Sequence, residues 1–461
     1  MTSQVLTRWE PENAAFWKDT GSRVAIRNLW ISIPALMLAF SIWMLWSVVV
    51  VNLDRAGFQF SKNQLFWLTA LPALSGATLR IFYSFLVPIF GGRRWTAIST
   101  ATLLIPALGM GFALRDPTTS YPTLLALALL CGLGGGNFSS SMANISFFFP
   151  KSKKGLATGL NAGVGNLGVS VVQFVVPLVI SIGLFGAFGG EPQQYMADGV
   201  ERNLWLQNAG FIWVPIILVA SVAAWFGMND IADARASFAD QAIIFKRKHN
   251  WLMCWLYVGT FGSFIGFSAG FAMLTKTLFP EVNPMTYAFL GPLVGSLTRP
   301  FGGWVSDKLG GARVTLYTFI GMIAAVLGVL AFIPAEGQVG SFTGFLGLFI
   351  VLFALTGIGN GSTFRMIPVI FLTERQRKAA GKGVKAERQA VVDASKESAA
   401  VLGFSGAIGA YGGFFVPRSF GTSIELTGGA SAALLFFIVF YMSCVGITWW
   451  FYARKNAAMP C

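Results

Sequence analysis

Long apolar runs alternate with short polar stretches along the whole chain. About twelve of the runs reach the roughly 20 residues that a helix needs to cross a hydrocarbon core about 30 Å thick. They cover approximately 29–51, 63–90, 95–114, 121–149, 156–184, 208–228, 251–274, 285–306, 313–333, 341–372, 398–423 and 430–452. Several exceed the minimum, which predicts tilted helices or helix ends that project beyond the lipid. The longest polar connections are 229–250 and 373–397, and the first of these divides the chain into six runs plus six. The pattern predicts an all-α membrane protein of twelve transmembrane helices. Its expected organisation is a tail at 1–28, a six-helix bundle at 29–228, a linker at 229–250, a second bundle at 251–452 and a tail at 453–461.

Composition agrees: of 461 residues, 55% are hydrophobic and only 11% charged, too apolar for one aqueous surface. The net charge of +14 raises the question of nucleic acid, which the placement of the basic residues answers. With the N-terminus in the cytosol, 24 of the 33 Lys and Arg fall on that side. They include Arg8, Lys18, Arg23 and Arg27, Arg93 and Arg94, Lys151, Lys153 and Lys154, Lys246 to Lys248, Lys308, Arg313, the 375–396 cluster, Arg454 and Lys455. The opposite loops hold Asp54, Asp116, Glu191, Asp198, Glu201, Glu281, Glu336 and Glu425. This bias predicts cytosolic termini in a bacterial-type cytoplasmic (inner) membrane, with lipid and no nucleic acid as partner. Residues 1–28 lack the apolar core of a signal peptide, so the first run is expected to direct insertion. Trp9, Phe16 and Trp17 read as an interfacial segment. The four cysteines have neither disulfide nor metal spacing, and no metal or cofactor is expected.

The two halves repeat. A shift of 219 residues lays Arg80 on Arg299, Gly76 on Gly295, Gly91 on Gly310, Gly92 on Gly311 and Arg94 on Arg313. Gly132, Gly134 and Gly136 match Gly357, Gly359 and Gly361 in the fourth and tenth runs. The fifth and eleventh runs space small residues every third position, Gly159, Ala162, Gly165 and Gly168 against Gly403, Gly406, Gly409 and Gly412. Small residues let helix backbones approach closely.

Arg80 and Arg299 lie near the middle of apolar runs that contain no aspartate or glutamate. Intramembrane cations cost at least a few kcal/mol each, so they mark a pathway or a ligand. Guanidinium suits a planar oxyanion because its fixed fork donates two parallel hydrogen bonds. Asn137, Asn144, Asn161 and Asn360 are further polar residues in the runs, expected to bond between helices. Arg365 lies near the cytosolic end of its run, where snorkelling or gating is expected of it, and Arg418 lies near the opposite interface.

Two six-helix repeats with a midplane site resemble the major facilitator superfamily. Gly303, Asp307, Lys308 and Gly310 match its GxxxD(K/R)xG loop motif. The first-half positions are Ser84, Pro88, Ile89 and Gly91, so that copy lacks the acid and a charge-based gate there is in doubt. Within the superfamily the chain resembles the NarK-type nitrate/nitrite porters over nearly its whole length. The resemblance is carried by RNLWIS from Arg27, LPALSGATLR ending at Arg80, PIFGGRRW from Pro88 and GGNFSSSMANISFFFP ending at Pro150. GLNAGVGNLGVS from Gly159, TFGSFIGFSAGFAM from Thr260 and GFSGAIGAYGGFF from Gly403 complete it, the first and last resembling that family's nitrate signatures. The resemblance implies nitrate and nitrite as substrates, with Arg80 and Arg299 as the binding pair. It adds Asn166, Tyr257, Phe40, Phe138 and Phe261 to the site. Without it, the three phenylalanines are anonymous among 43.

All 19 acids map to tails, loops or helix ends, and the one histidine, His249, lies in a basic segment, so no proton carrier is evident. Exchange has a positive argument. Two arginines brought to roughly 7 Å in an empty carrier repel by about 2 kcal/mol at an effective dielectric constant of about 20. An anion removes that penalty, so loaded carrier crosses more readily than empty. The expectation is electroneutral nitrate/nitrite antiport by a monomer. Proton-coupled symport and transport of another small monoanion remain alternatives. An enzyme lacks a nucleophile with its base, and a sensor lacks a signalling domain.

Overall fold

Helix in this chain begins earlier and runs further than hydropathy alone marks. The computed structural model describes residues 4–197, 199–232, 243–335 and 339–461. Asp198, Glu336, the 233–242 part of the expected linker and the Lys151 side chain lie outside the described residues. Among the described residues, eleven helices are long and apolar enough to cross a membrane. They are Ala14–Trp43, Lys62–Tyr83, Gly92–Ala113, Tyr121–Phe148, Ser152–Val179, Asn208–Gly227, Lys248–Leu278, Gly311–Phe332, Phe342–Ala379, Val384–Thr427 and Ser431–Ala453. The expected eighth span is also helical, Leu290–Leu309, but Arg299, Asp307 and Lys308 make it less apolar than the rest. Spans are numbered here in chain order with Leu290–Leu309 as the eighth.

Three expectations need correction. The first helix starts at Ala14, not near residue 29, because the Asn13 side chain caps it by accepting from the amides of Ala15 and Phe16. Trp9 and Trp17 pack against protein here: Trp9 Nε1 donates to Phe147 O at 3.1 Å, and Trp17 lies 5.7 Å from the Phe149 ring. The polar 373–397 stretch is mostly helix, broken only around Gly381 and Gly383, both at positive φ. Its charges pair beyond the apolar stretch, where buried Glu397 accepts from Arg375 and, at 2.8 Å, from Arg247. Among the described residues four short strands join the helices, β1 Val5–Leu6, β2 Gln193–Ala197, β3 Val200–Leu204 and β4 Asp230–Ile231. β1 pairs with β4 in parallel, and β2 with β3 as an antiparallel hairpin.

The chain divides into two compact units. The first comprises Met1–Arg235, Ser268–Leu293 and Phe414–Gly421; the second comprises Ala236–Phe267, Val294–Gly413 and Thr422–Cys461. In the first unit, the second span packs on the fourth, and the first span on the fourth and fifth. Segments from late in the chain are tied into this unit by polar contacts. Lys276 Nζ donates to Asp54 Oδ1 at 2.6 Å and to Val51 O at 2.7 Å. Gln173 Nε2 donates to Ser268 O at 2.8 Å, and Arg418 lies over the Trp67 ring at 4.1 Å while donating to Asn63. In the second unit the tenth span packs on the ninth and eleventh, and the ninth on the twelfth.

The turns that open the third and ninth spans are alike. Gly91 and Gly310 both have φ of +88°, a conformation that side chains other than glycine rarely adopt. In the first unit, buried Asp230 accepts from the Arg93 amide at 2.8 Å and from Arg93 Nε at 3.2 Å. In the second, the Cys461 carbonyl accepts from the Ala312 amide at 3.0 Å. Each oxygen satisfies an otherwise unbonded amide at a helix start. The carboxylate absent from the first loop motif is thus supplied next to Gly91 by Asp230.

Candidate functional site

In the first unit the site is built around Arg80 in the second span, whose side chain is fully buried. Its Nε donates to Gly135 O at 2.7 Å, which orients the guanidinium plane. Trp43 and Phe138 each lie 4.7 Å from the guanidinium carbon, and Phe40 lies 5.8 Å away. The negative faces of these rings partly offset the cost of burying the cation. Trp43 is in turn fixed by donation from Nε1 to Pro72 O at 2.7 Å. Glycines make the arrangement possible. A Cβ on Gly76 would fall 3.1 Å from Gly135 Cα and overlap Trp43, so only glycine lets these helices meet under the ring.

The fifth span approaches the first through Gly165, against Leu36, and Gly168, against the Met37 carbonyl and Phe40. Between these two glycines lies Asn166, 1% exposed, with neither Nδ2 nor Oδ1 hydrogen-bonded. A buried amide left without partners costs about 1–3 kcal/mol, so its place is explained by a ligand or by water. Close packing does not explain Gly159 or Gly403, where an added Cβ would meet no atom within 4 Å.

In the second unit Arg299 is 7% exposed. Its Nη2 donates to the Tyr257 hydroxyl at 3.2 Å, and Phe364 lies 4.8 Å from its guanidinium carbon. Nη1 has no hydrogen-bond partner. Tyr257 stacks on Phe261 with ring centroids 5.2 Å apart and planes 12° from parallel. A π-helical turn, Val258–Gly262, follows Tyr257 and breaks the α-helical register of the seventh span. Gly409 and Gly412 of the eleventh span bring it against Tyr257 and Gly262.

Of the residues singled out from sequence, Arg80, Phe40 and Phe138 come together in the first unit, and Arg299, Tyr257 and Phe261 in the second. Trp43 and Phe364 were missed, although each touches an arginine more closely than Phe40 does. Trp43 had a signal, since it lies three residues after Phe40 and so on the same helix face. Arg365 pairs with Asp307 and so ties the tenth span to the loop motif, while Lys308 Nζ lies 4.0 Å from the Trp304 ring. Each cluster offers a guanidinium anchored by a fixed acceptor and walled by aromatic rings, suited to a small flat anion.

Tyr257→Phe is expected to release Arg299 from its one side-chain acceptor while keeping the ring stack. The lost bond to a charged group is worth about 1.5 kcal/mol, or roughly tenfold in KM for a transported anion. The concentration dependence of initial uptake rates measures this directly.

The chain matches the Major Facilitator Superfamily model over residues 31–384. It is 53% identical over 456 residues to the nitrate/nitrite transporter NarU of Escherichia coli K12, covering 98% of this chain and 97% of that one. It is 42% identical to a probable nitrate/nitrite antiporter, NarK2, of Thermus thermophilus, covering 99% and 98%. Among solved structures, a bacterial homolog of the human lysosomal transporter Spinster, inward-facing and occupied, superposes with a TM-score of 0.63. The two share 15% identity over 93% of this chain and 96% of that one, a likeness of fold alone.

Proposed function

Because the chain belongs to the NarK-type nitrate/nitrite porters of the major facilitator superfamily, we propose that it exchanges nitrate for nitrite across the bacterial cytoplasmic membrane by alternating access. Its termini face the cytosol in this reading, as the distribution of Lys and Arg favours. The observation that carries it is the paired setting of Arg80 and Arg299. They occupy repeat-related positions, both are buried, and both lie against aromatic rings. Arg80 and Arg299 are the residues that bind the anion. Arg299 donates from Nη1, the Asn166 amide supplies a further hydrogen bond, and Phe40, Phe138 and Phe261 form dry walls that favour a flat ion over a tetrahedral one. The glycines of the fifth and eleventh spans and the Gly303, Asp307, Lys308 and Gly310 loop serve the movement between states.

Exchange follows from the charge of the empty site. The two buried cations disfavour an empty carrier until an anion enters, so the carrier returns only when loaded. One charge moves each way and the cycle is electroneutral. No proton relay is needed, in keeping with apolar stretches that hold no acid or histidine.

The test is uptake of labelled nitrate by purified protein in proteoliposomes. Vesicles loaded with nitrite are expected to accumulate label, and vesicles without an exchangeable anion are expected to show at most a few per cent of that rate. Uptake into empty vesicles driven by an imposed proton gradient would replace exchange with symport. Absence of uptake in every format would remove nitrate as the substrate.

A further inference from the structure

Away from both arginine clusters, the first unit holds a second place suited to an anion. A cavity of about 30 Å³ is walled by Val51, Asn52, Arg55, Lys276, Val282 and Asn283 among others. Since a water needs roughly 10–15 Å³, there is room for about two waters or one small planar ion. Two cations, Arg55 and Lys276, line it directly, whereas the neighbouring acids Asp54 and Glu281 lie outside its lining.

The bonding of Lys276 gives this cavity its meaning. An ammonium has three donors. Two are used, on Asp54 Oδ1 at 2.6 Å and on Val51 O at 2.7 Å, which ties the end of the seventh span to the segment that follows the first. Arg55 follows Asp54 directly; its amide donates to Asp54 Oδ1 at 2.9 Å, while its guanidinium carbon lies 5.5 Å from the Tyr195 ring. Asp54 is more than half exposed, so water already competes for Lys276. A carboxylate and nitrate are both flat, resonance-stabilised oxyanions with similar O···O spacing. The ammonium that holds the one can therefore hold the other.

We propose that the cavity lined by Arg55, Lys276, Asn52 and Asn283 is an entry subsite for a planar monovalent oxyanion, which displaces Asp54 from Lys276 and so loosens the tie between the seventh span and the segment that follows the first. The subsite couples arrival of substrate on that face to release of that contact. This rests on the reading of the chain as a nitrate/nitrite exchanger.

The experiment measures exchange in right-side-out and everted membrane vesicles, giving the nitrate KM from the face that carries Asp54 and from the opposite face. Native protein that exchanges nothing in either preparation refutes the transport reading rather than the subsite. Given native exchange, Arg55→Gln is expected to raise the ratio of the two KM values about fivefold, and Asp54→Asn to lower it by removing the competing carboxylate. Formate, a planar carboxylate, is expected to inhibit from the Asp54 face, and chloride at equal ionic strength to inhibit far less. An unchanged KM ratio in both variants overturns the subsite. Equal inhibition by chloride and formate reduces it to general attraction of anions and overturns the competition with Asp54.

Discussion

Arg80→Lys is expected to lower nitrate/nitrite exchange at least about 100-fold while the protein stays folded. Lysine keeps the charge and most of the apolar stem, so the cation can still lie near Trp43 and Phe138. It cannot reproduce a planar fork with one nitrogen anchored on Gly135 O and others directed to an anion. Hydrogen bonds to charged groups are worth about 1.5–3 kcal/mol each, and losing two accounts for two orders of magnitude or more. Counterflow in proteoliposomes gives the rate, and thermal unfolding in detergent gives the control, with a Tm expected within a few degrees of native. Near-native exchange by a folded Arg80→Lys variant would show that charge alone serves at this position, and the bidentate role would have to be abandoned.

The second large effect is expected at Gly168→Ala. The added methyl would overlap the Met37 carbonyl, a backbone group that cannot rotate away, and lie 2.9 Å from Phe40 Cβ. Ser41 also donates to Gly168 O at 3.0 Å, so the two helices are already joined at this level. Forcing them apart costs about 1–3 kcal/mol, seen as a Tm lower by several degrees. Phe40 moves with the first span and away from Arg80, so a raised nitrate KM should accompany the lost stability. Gly159→Ala is the internal comparison, because open space surrounds that position and alanine favours helix by about 0.5–1 kcal/mol. If Gly168→Ala proved as stable as Gly159→Ala, the close approach of the first and fifth spans would be wrong.

The spans were legible because lipid demands long apolar helices, and their polar extensions were not, for the same reason. Hydropathy reports where a helix leaves the bilayer, whereas 373–397 continues as helix in water with Glu397, Arg375 and Arg247 paired. The eighth span was legible too, at 285–306 for the helix Leu290–Leu309, although Arg299, Asp307 and Lys308 dilute its apolar signal. At the site, the arginines stood out because charge is rare in the apolar stretches. Trp43 and Phe364 did not, because aromatic residues make up 15% of the chain and only geometry tells which of them face a cation. Asp230 was invisible for another reason. A search for the missing acid looks along the loop motif itself, and this carboxylate arrives from well over a hundred residues later in the chain.

That late arrival has a bearing on synthesis. The first unit's third span receives its capping oxygen only when Asp230 has been made, and the β1 strand near the N-terminus has no partner until β4 is made with it. The stretch just past the sixth span is therefore less a tether than a clasp on the early helices as they leave the ribosome. Anyone dividing the gene to express the halves separately should cut beyond Ile231. A cut at Gly227, where the sixth span ends, would release the first six helices with their clasp on the wrong fragment.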